Sequence, residues 1–286
     1  MQMLKYASFL VLAVLIASCG SQKSSSMSVS ISKKANHIIG GTTAAENEFP
    51  FVVNIWMNSP KDNYVAHLCG ATLIDKKWVL TAAHCMMEDY TESEMRVMSP
   101  SKLDLYIGSA EHSGAGGRKL KAKSILIHPK YNWPKHDVAL VELAEDVTDV
   151  SPIFLNEKDL GESTELATVM GWGLTDAAGT TEASRLQKVT LTLEPRHLCT
   201  QDELPRDNNT TVEADMLCAQ TLNHQKSSCP GDSGGPLIQI KEGHFVQIGI
   251  VSWSSACSGT RHKYKSSVAG YAAVADALEW IRQVVK

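Results

Sequence analysis

The hexapeptide Gly-Asp-Ser-Gly-Gly-Pro at residues 231–236 constrains this 286-residue chain more than any other segment. It places Ser233 among glycines, whose backbone N–H groups can approach an anion closely because no Cβ stands in the way. A serine hydroxyl is a weak nucleophile, so it needs a base in hydrogen-bond contact and an orienting group behind that base. The fold must therefore bring a base and a carboxylate to this loop from elsewhere in the chain.

Two upstream segments offer these groups. His84 lies in Thr-Ala-Ala-His-Cys at 81–85, and Asp137 lies in His-Asp-Val-Ala-Leu at 136–140. The chain order His, Asp, Ser is one of the known orders of a nucleophilic triad. Each residue alone would be unremarkable, as a solvated histidine, a structural carboxylate or a turn serine. Together they predict a catalytic triad in which His84 is the base, Asp137 orients it and Ser233 attacks.

With Ile-Ile-Gly-Gly at 38–41 and Gly-Trp-Gly at 171–173, these motifs resemble the chymotrypsin-like serine proteases of the trypsin superfamily, from residue 38 to the C-terminus. The resemblance implies an all-β fold of two packed antiparallel six-stranded β-barrels followed by a C-terminal α-helix. It implies a serine endopeptidase that acts on proteins or peptides through an acyl-enzyme intermediate. The N–H groups of Gly231 and Ser233 are expected to form the oxyanion hole. We expect no required metal ion or cofactor.

Short alternating or apolar runs between turn residues agree with this architecture. Within an N-terminal barrel of about 38–150, the expected strands cover 51–56, 71–80, 103–107, 124–128 and 138–143. Within a C-terminal barrel of about 151–273, they cover 167–173, 187–193, 236–240 and 245–253. The helical spacing of Leu278, Ile281 and Val284 predicts a terminal helix over about 274–286. The longer segment 86–102 is interpreted as a surface insertion.

The N-terminal segment has the features of an export signal. Lys5 precedes an apolar run over 9–16, which is too short to span a bilayer. The tetrapeptide Ile-Ala-Ser-Cys at 16–19 resembles a bacterial lipobox, which predicts a lipoprotein signal peptide over 1–18 and lipid attachment at Cys19. The alternative is an ordinary signal with a coincidental cysteine. Residues 19–37, rich in Ser and Lys, are interpreted as a tether and activation propeptide before a protease domain over 38–286.

Seven cysteines leave one over if the others pair in an oxidising compartment. The resemblance implies disulfides between Cys69 and Cys85, Cys199 and Cys218, and Cys229 and Cys257. The remaining cysteine is then Cys19, which agrees with its assignment as the lipidation site. Free buried thiols are the alternative.

The resemblance also implies synthesis as a zymogen. Cleavage before Ile38 would free an α-amino group that pairs with Asp232 and orders the oxyanion loop. His37 precedes this cut, where many relatives carry Arg or Lys. Either an activating protease accepts His37, or one cuts after Lys34 and a peptidase removes 35–37. Because the lipid lies before the cut, we expect a membrane-tethered precursor in the cell envelope and a secreted, monomeric enzyme after activation.

Specificity is predicted from the residues expected to line the primary (S1) pocket. The residue six before Ser233, where trypsin-like members carry an aspartate, is Ser227. Without that charge, a basic side chain would enter the pocket unpaired, so cleavage after Arg or Lys is disfavoured. The predicted pocket residues are Ser227, Ser252, Trp253, Ser254 and Ala269. They favour an aromatic or medium apolar side chain, while a basic loop over 261–265 leaves acidic substrates as the alternative.

Two other classes of function are disfavoured. Four of the 27 basic residues and none of the 31 acidic residues lie in 1–37, so the remaining chain has a formal net charge of −8. That charge makes nucleic acid a poor partner. A catalytically inactive homologue acting as a protein-binding module is the main alternative from another class. Such proteins usually lack a triad member, whereas His84, Asp137 and Ser233 are all present.

Overall fold

The described part of this computed structural model contains sixteen β-strands and one α-helix. It covers residues 41–59, 64–91, 94–175, 181–199, 212–220, 228–254 and 268–286. Twelve of these strands form two closed antiparallel barrels, each of six strands, and the helix follows the last strand. The predicted all-β fold of two barrels with a C-terminal helix is therefore confirmed.

The elements before the middle of the chain are β1 (Thr42–Thr43), β2 (Val52–Ser59), β3 (Tyr64–Asp75), β4 (Trp78–Thr81), β5 (Met87–Thr91), β6 (Glu94–Val97), β7 (Leu103–Ile107), β8 (Arg118–Ile127) and β9 (Ala139–Leu143). The later elements are β10 (Phe154–Leu155), β11 (Leu166–Gly171), β12 (Gln187–Glu194), β13 (Met216–Gln220), β14 (Pro236–Lys241), β15 (His244–Ser254), β16 (Ala269–Ala273) and α1 (Val274–Val284).

The first barrel closes in the strand order β2-β3-β4-β9-β8-β7. Its strands are antiparallel throughout, and the pairing of β2 with β7 closes the ring. Closure removes the exposed sheet edges that would otherwise offer unpaired backbone groups. The loops that leave β4 and enter β9 therefore start from a rigid frame.

The second barrel follows the order β12-β11-β14-β15-β16-β13, closed by pairing of β13 with β12. Along β12, buried and less buried residues alternate, with Val189, Leu191 and Leu193 inside. This is the period of two expected of a strand with one face in the core. The short strand β1 pairs with β12, so residues 42–43 join the sheet of the second barrel.

The two barrels share one hydrophobic core cluster. It includes Val53 and Leu80 from the first barrel and Ile238 and Ile250 from the second. Trp172 is 1% exposed, and its indole N–H donates a hydrogen bond of 2.9 Å to the carbonyl oxygen of Ala110. This packing fixes the interface between the barrels, where the loops after β4, before β9 and before β14 meet.

One local expectation differs from the structure. The run 71–80 is not one strand, because a turn at Lys76 and Lys77 divides it into the end of β3 and all of β4. Neither residue is a glycine or proline, so the turn had no strong local signal. The segment 86–102, interpreted as an insertion, carries the two-stranded β5–β6 sheet.

The helix α1 buries Val274, Ala277, Leu278 and Ile281, which lie three or four residues apart on one face. It ends two residues before the end of the expected range. Within the part of the chain that the structure describes, no helix has both the length and the apolar character needed to cross a bilayer.

Candidate active site

His84 and Asp137 occupy the two loops that the first barrel directs toward the second. His84 begins a short 3-10 turn (His84–Met86) three residues after the end of β4. Asp137 lies two residues before β9, which pairs with all four residues of β4. The pairing of these strands brings the imidazole and the carboxylate together, although they are separated by 53 residues in the chain.

The carboxylate of Asp137 is fully buried and binds His84 twice. Its Oδ2 atom lies 2.7 Å from Nδ1 of His84, and its Oδ1 atom accepts a hydrogen bond of 2.8 Å from the backbone N–H of His84. Because a carboxylate accepts only, Nδ1 carries the hydrogen and Nε2 presents a lone pair. The arrangement fixes the tautomer that a general base needs.

The electrostatics of His84 agree with this role. Burial acts to lower the pKa of His84, but the negative charge of Asp137 and the hydrogen bond to it raise that pKa by more. The pKa of His84 therefore lies above the ordinary value of 6.5. The imidazole that gains a proton during a reaction is stabilised by the buried carboxylate.

The Ser233 loop is attached to the first barrel through Gly70 of β3. The N–H of Gly70 donates a hydrogen bond of 2.8 Å to the carbonyl oxygen of Ser233, and the carbonyl of Gly70 accepts one of 2.9 Å from the Thr81 hydroxyl. Thr81 lies three residues before His84. Gly234 packs against the same segment, since a Cβ on it would lie 2.2 Å from Oγ1 of Thr81. Ser233 is thereby held beside the His84 loop.

The backbone N–H groups of the Ser233 loop fall into two sets. Those of Asp232, Gly234 and Gly235 donate to carbonyl oxygens of Cys229, Val251 and Asp232 respectively. Those of Gly231 and Ser233 have no acceptor among the described residues. Gly231 has a φ of +93°, which residues with a Cβ rarely adopt. Two free donors next to a partly exposed serine are what an oxyanion site requires.

Among the hydrogen bonds of the described residues, none joins the Ser233 hydroxyl to His84. Catalytic contacts of this kind are often long in the free protein and shorten only when substrate binds. The Cys85 sulfur lies 3.7 Å from Nε2 of His84.

Asp232 is buried without a cationic partner in the described part of the chain. Its Oδ1 accepts a hydrogen bond of 2.8 Å from the N–H of Gly173, and its Oδ2 accepts one of 2.7 Å from the N–H of Cys229. Burial raises the pKa of Asp232 to about 7, although both hydrogen bonds act to lower it. A Cβ on Gly173 would lie 2.7 Å from this carboxylate, so only glycine allows its close approach.

Disulfides join two of the expected cysteine pairs, Cys69–Cys85 and Cys199–Cys218. Cys229 is also disulfide-bonded, and its expected partner, Cys257, lies outside the described residues. The first bridge ties β3 to the residue that follows His84. Although Cys69, Cys85 and His84 lie close enough together to suggest a metal site, sulfurs bound in a disulfide are not available as thiolate ligands.

The predicted pocket residues in the described part of the chain lie on β15 and β16. Ser254 pairs with Ala269, and the indole of Trp253 covers Gly270, where a Cβ would lie 2.0 Å from the ring. Ala269 is fully buried and belongs to the core cluster of the second barrel. Ser227, Ile38 and Cys19, predicted for specificity, activation and lipid attachment, all lie outside the described residues.

Ser252 has a contact that its assignment to the pocket did not include. Its hydroxyl donates a hydrogen bond of 2.5 Å to Oδ2 of Asp137, the oxygen that also binds His84. Because Ser252 and Asp137 are 115 residues apart, no local sequence signal links them. The carboxylate thus receives three hydrogen bonds, which hold it in place.

Comparison with known sequences agrees with this geometry. The family model described as "Trypsin" matches residues 38–281. The chain is similar to "Trypsin 5G1" of Aedes aegypti, with 31% identity over 260 residues that cover 88% of this chain and 86% of that protein. It is also similar to "Serine protease 28" of Mus musculus, with 29% identity over 287 residues that cover 96% of this chain and 99% of that protein.

Proposed function

The chain belongs to the trypsin family and is a serine endopeptidase, and on this premise we propose that Ser233, His84 and Asp137 carry out its catalysis. Ser233 is the nucleophile, His84 the general base and then general acid, and Asp137 the group that orients His84. Gly231 and Ser233 supply the N–H donors of the oxyanion hole.

In the acylation step, Oγ of Ser233 attacks the carbonyl carbon of the peptide bond while Nε2 of His84 takes the hydroxyl proton. The carbonyl oxygen becomes an oxyanion, to which the free N–H groups of Gly231 and Ser233 donate. The imidazolium is stabilised by its hydrogen bond to the Asp137 carboxylate. His84 then gives the proton to the leaving amine, and the C–N bond breaks to leave an acyl group on Ser233.

In the deacylation step, His84 takes a proton from a water molecule, whose oxygen attacks the acyl carbon. A second oxyanion forms in the same site and collapses to release the carboxylic acid. The proton on His84 returns to Oγ of Ser233, so the enzyme is regenerated.

The observation that carries this proposal is the environment of Asp137. Its fully buried carboxylate accepts hydrogen bonds from the backbone N–H of His84, from Nδ1–H of the same residue and from the Ser252 hydroxyl. Burial of a charge is costly and is normally retained only where partners repay it. Here the partners are the backbone and ring of His84 and the hydroxyl of Ser252.

A fluorophosphonate probe separates this proposal from an inactive, protein-binding homologue. We expect the processed protein to be labelled at Ser233, and labelling to disappear in Ser233→Ala. A Ser124→Ala variant, altered at a serine of the first barrel that donates 2.9 Å to Glu142, is the matched control and should label fully. Correctly processed protein that takes no label would instead favour the binding module.

We further propose that the chain is made as a zymogen activated by cleavage before Ile38. The buried Asp232 carboxylate has no cation among the described residues, and its pKa of about 7 reflects that cost. The new α-amino group of Ile38 would supply the counter-charge. Such an ion pair would hold the loop that carries Gly231 and Ser233 in its active form.

The activation proposal is tested with two preparations. Protein whose N-terminus is Ile38 should hydrolyse peptides, whereas uncleaved protein should be at least about 100-fold slower. Processed Asp232→Asn protein should hydrolyse peptides as slowly as uncleaved protein, because an uncharged amide cannot form an ion pair with the α-amino group. Equal rates before and after cleavage would contradict the proposal. N-terminal sequencing during activation also distinguishes the two routes, because a cut after Lys34 gives an intermediate that begins at Ala35, whereas a cut after His37 gives Ile38 directly.

We propose that Cys19 carries a lipid that tethers the precursor to the cell envelope, and that cleavage at Ile38 releases a soluble, secreted and monomeric enzyme. The support is the sequence of residues 5–19 alone. The relatives named above come from animals and lend nothing to a bacterial lipid pattern. Fractionation before and after complete cleavage tests the tether. Active enzyme that stays in the membrane fraction would overturn the release.

For specificity, we propose cleavage after aromatic or medium apolar residues. Ser227, in place of an aspartate, leaves a basic side chain without a counter-charge. The test is a peptide-library profile of the processed enzyme. Cleavage mainly after Phe, Tyr, Leu or smaller apolar residues supports the proposal, whereas a profile dominated by Arg or Lys, or by Asp or Glu, contradicts it.

A further inference from the structure

Two imidazoles and one carboxylate meet outside the catalytic triad, in what we call the His67–His112–Glu182 cluster. His67 lies on β3, His112 in the loop between β7 and β8, and Glu182 in a bridge with Leu174 that precedes β12. One ligand atom from each residue lies within 4.8 Å of the other two. Nδ1 of His67 is 3.9 Å from Oε1 of Glu182, and Nε2 of His112 is 3.6 Å from Oε2.

Both histidines of this cluster carry buried ring nitrogens that have no hydrogen-bond partner among the described residues. The side chain of His67 is 1% exposed, and neither of its ring nitrogens reaches a hydrogen-bond partner in the described part of the chain. The same holds for the buried Nε2 of His112. A polar atom buried in this way costs free energy unless something binds it. The half-exposed Glu182, at 44%, forms the side of the cluster through which a ligand can enter.

The scaffold fixes both rings. The carbonyl of His112 accepts a hydrogen bond of 2.8 Å from the Asn54 side chain, and its N–H donates one of 2.8 Å to the carbonyl oxygen of Ser184. The two imidazoles meet edge to face with centroids 4.6 Å apart. The Trp56 ring packs against both, at 6.0 Å from His67 and 5.1 Å from His112. The nitrogen donors are therefore positioned in advance of any ligand.

We propose that His67, His112 and Glu182 form a binding site for a zinc ion, with water completing the coordination. Zinc takes histidine nitrogen and carboxylate oxygen at about 2.0–2.2 Å, so donor atoms in a tetrahedral site lie about 3.3–3.5 Å apart. The observed nitrogen-to-oxygen separations of 3.9 and 3.6 Å exceed that distance by a few tenths of an ångström. A small movement of the half-exposed Glu182 side chain would close the difference. Calcium and magnesium prefer all-oxygen sites and should bind poorly.

The site lies against the proposed oxyanion loop. A Cβ on Gly231 would be 3.5 Å from Nδ1 of His67 and 3.6 Å from its Cε1. A metal ion on this ring would therefore sit beside the backbone that the proposed function assigns to the oxyanion hole. The zinc proposal does not depend on that assignment, because it is tested by binding and not by activity. The zinc proposal is also compatible with the expectation that catalysis needs no metal ion, because the proposed site lies outside the catalytic triad.

The test is calorimetric titration of chelator-treated protein with zinc chloride, using the Ser233→Ala chain to prevent autolysis. We expect one zinc ion per chain and a rise in Tm on binding. His112→Ala or Glu182→Gln is then added to this chain, and each should weaken zinc binding strongly. The loss should exceed the roughly 10- to 100-fold that is typical when a residue that only hydrogen-bonds to a metal ligand is removed. Both variants should match the parent's Tm in chelator. Calcium in large excess should not compete.

Two histidine variants locate the ion. His197 and Glu162 form an exposed pair with 3.1 Å between Nδ1 and Oε2, so His197→Ala is the matched control and should bind zinc as the parent does. The imidazole of His84 is the other candidate ligand. If the ion binds at the proposed site instead, His84→Ala should bind zinc as the parent does. Absence of binding, binding that survives both His112→Ala and Glu182→Gln, or binding lost in His84→Ala would each overturn the proposal.

Discussion

The hydroxyl of Ser252 donates a hydrogen bond of 2.5 Å to the same oxygen of Asp137 that binds Nδ1 of His84. Ser252 belongs to β15 of the second barrel, whereas Asp137 and His84 belong to loops of the first. The hydrogen bond therefore joins the two barrels at the carboxylate on which the proposed mechanism depends.

Replacing Ser252 by alanine should lower kcat/KM by about 10- to 100-fold, because a hydrogen bond to a charged group contributes about 1.5–3 kcal/mol. Hydrolysis of a peptide substrate by processed protein measures the effect. Ser124→Ala removes a comparable hydrogen bond to Glu142 on the first barrel and should leave kcat/KM unchanged. Equal values for the Ser252→Ala variant and the parent would remove Ser252 from the catalytic arrangement.

Asp137→Asn should lower kcat by about 10⁴-fold while leaving the fold intact. The amide would donate to Nδ1 of His84, so Nε2 would carry the hydrogen and could no longer accept the Ser233 proton. Steady-state kinetics near pH 7 check this, with thermal melting to verify folding. A folded variant that loses less than tenfold would show that His84 does not need the orienting carboxylate.

Gly231→Ala should reduce kcat/KM by at least the roughly 10²- to 10³-fold that accompanies loss of one oxyanion donor. Gly231 has a φ of +93°, and a Cβ would lie 2.9 Å from Cα of Gly173, so the loop must shift. Gly243 is the control, since it has a φ of +80° but no atom within 4 Å of the position that a Cβ would occupy. Its alanine variant should lose some stability and keep its activity.

Removing the Cys69–Cys85 disulfide, by replacing both residues with alanine, should lower the free energy of unfolding by about 3 kcal/mol, because the bridge closes a loop of 16 residues. It should also lower kcat, since Cys85 follows His84. Removing Cys199–Cys218, which closes a similar loop of 19 residues, should cost similar stability without the loss of kcat. Denaturant titration measures the stability of each double variant, and steady-state kinetics measure its kcat. An equal loss of kcat in the two double variants would contradict the prediction.

The lowered pKa of His128 predicts that the stability of the fold depends on pH. Burial and the nearby His136 lower its pKa to about 4, with Lys130 acting in the same direction and Asp276 against it. Between pH 6.5 and 4 the unfolded chain therefore binds a proton at His128 that the folded chain does not, so stability falls as the pH falls through this window. The free energy of unfolding of the parent minus that of His128→Gln should decrease from about pH 7.5 to about pH 4.5. A constant or growing difference would contradict the shifted pKa.

The fold class was predicted through the resemblance that the motifs around His84, Asp137 and Ser233 carry, and the alternating strand patterns agreed with it. The spacing of Leu278, Ile281 and Val284 correctly indicated the terminal helix. The turn at Lys76 and Lys77 was missed because apolar residues continue on both sides of it, with no glycine or proline to mark the break.

The candidate site could be predicted only in part from the sequence. His84, Asp137 and Ser233 each lie in a recognisable motif, so the three motifs together predicted them as a triad. The hydroxyl contact of Ser252 and the meeting of His67, His112 and Glu182 depend on how distant strands pair, which no local pattern encodes. Alternating burial predicts which face of a strand is inside but not which distant side chain it meets.

The most direct test of the catalytic proposal is to trap the acyl-enzyme. Processed protein is mixed with an activated ester, quenched in acid within the first turnover, digested and measured by mass spectrometry. The account predicts the acyl mass on the peptide that contains Ser233, a product burst of one equivalent per chain, and neither in Ser233→Ala or His84→Ala. Turnover of the ester and of a peptide substrate without acylation of Ser233 would contradict it.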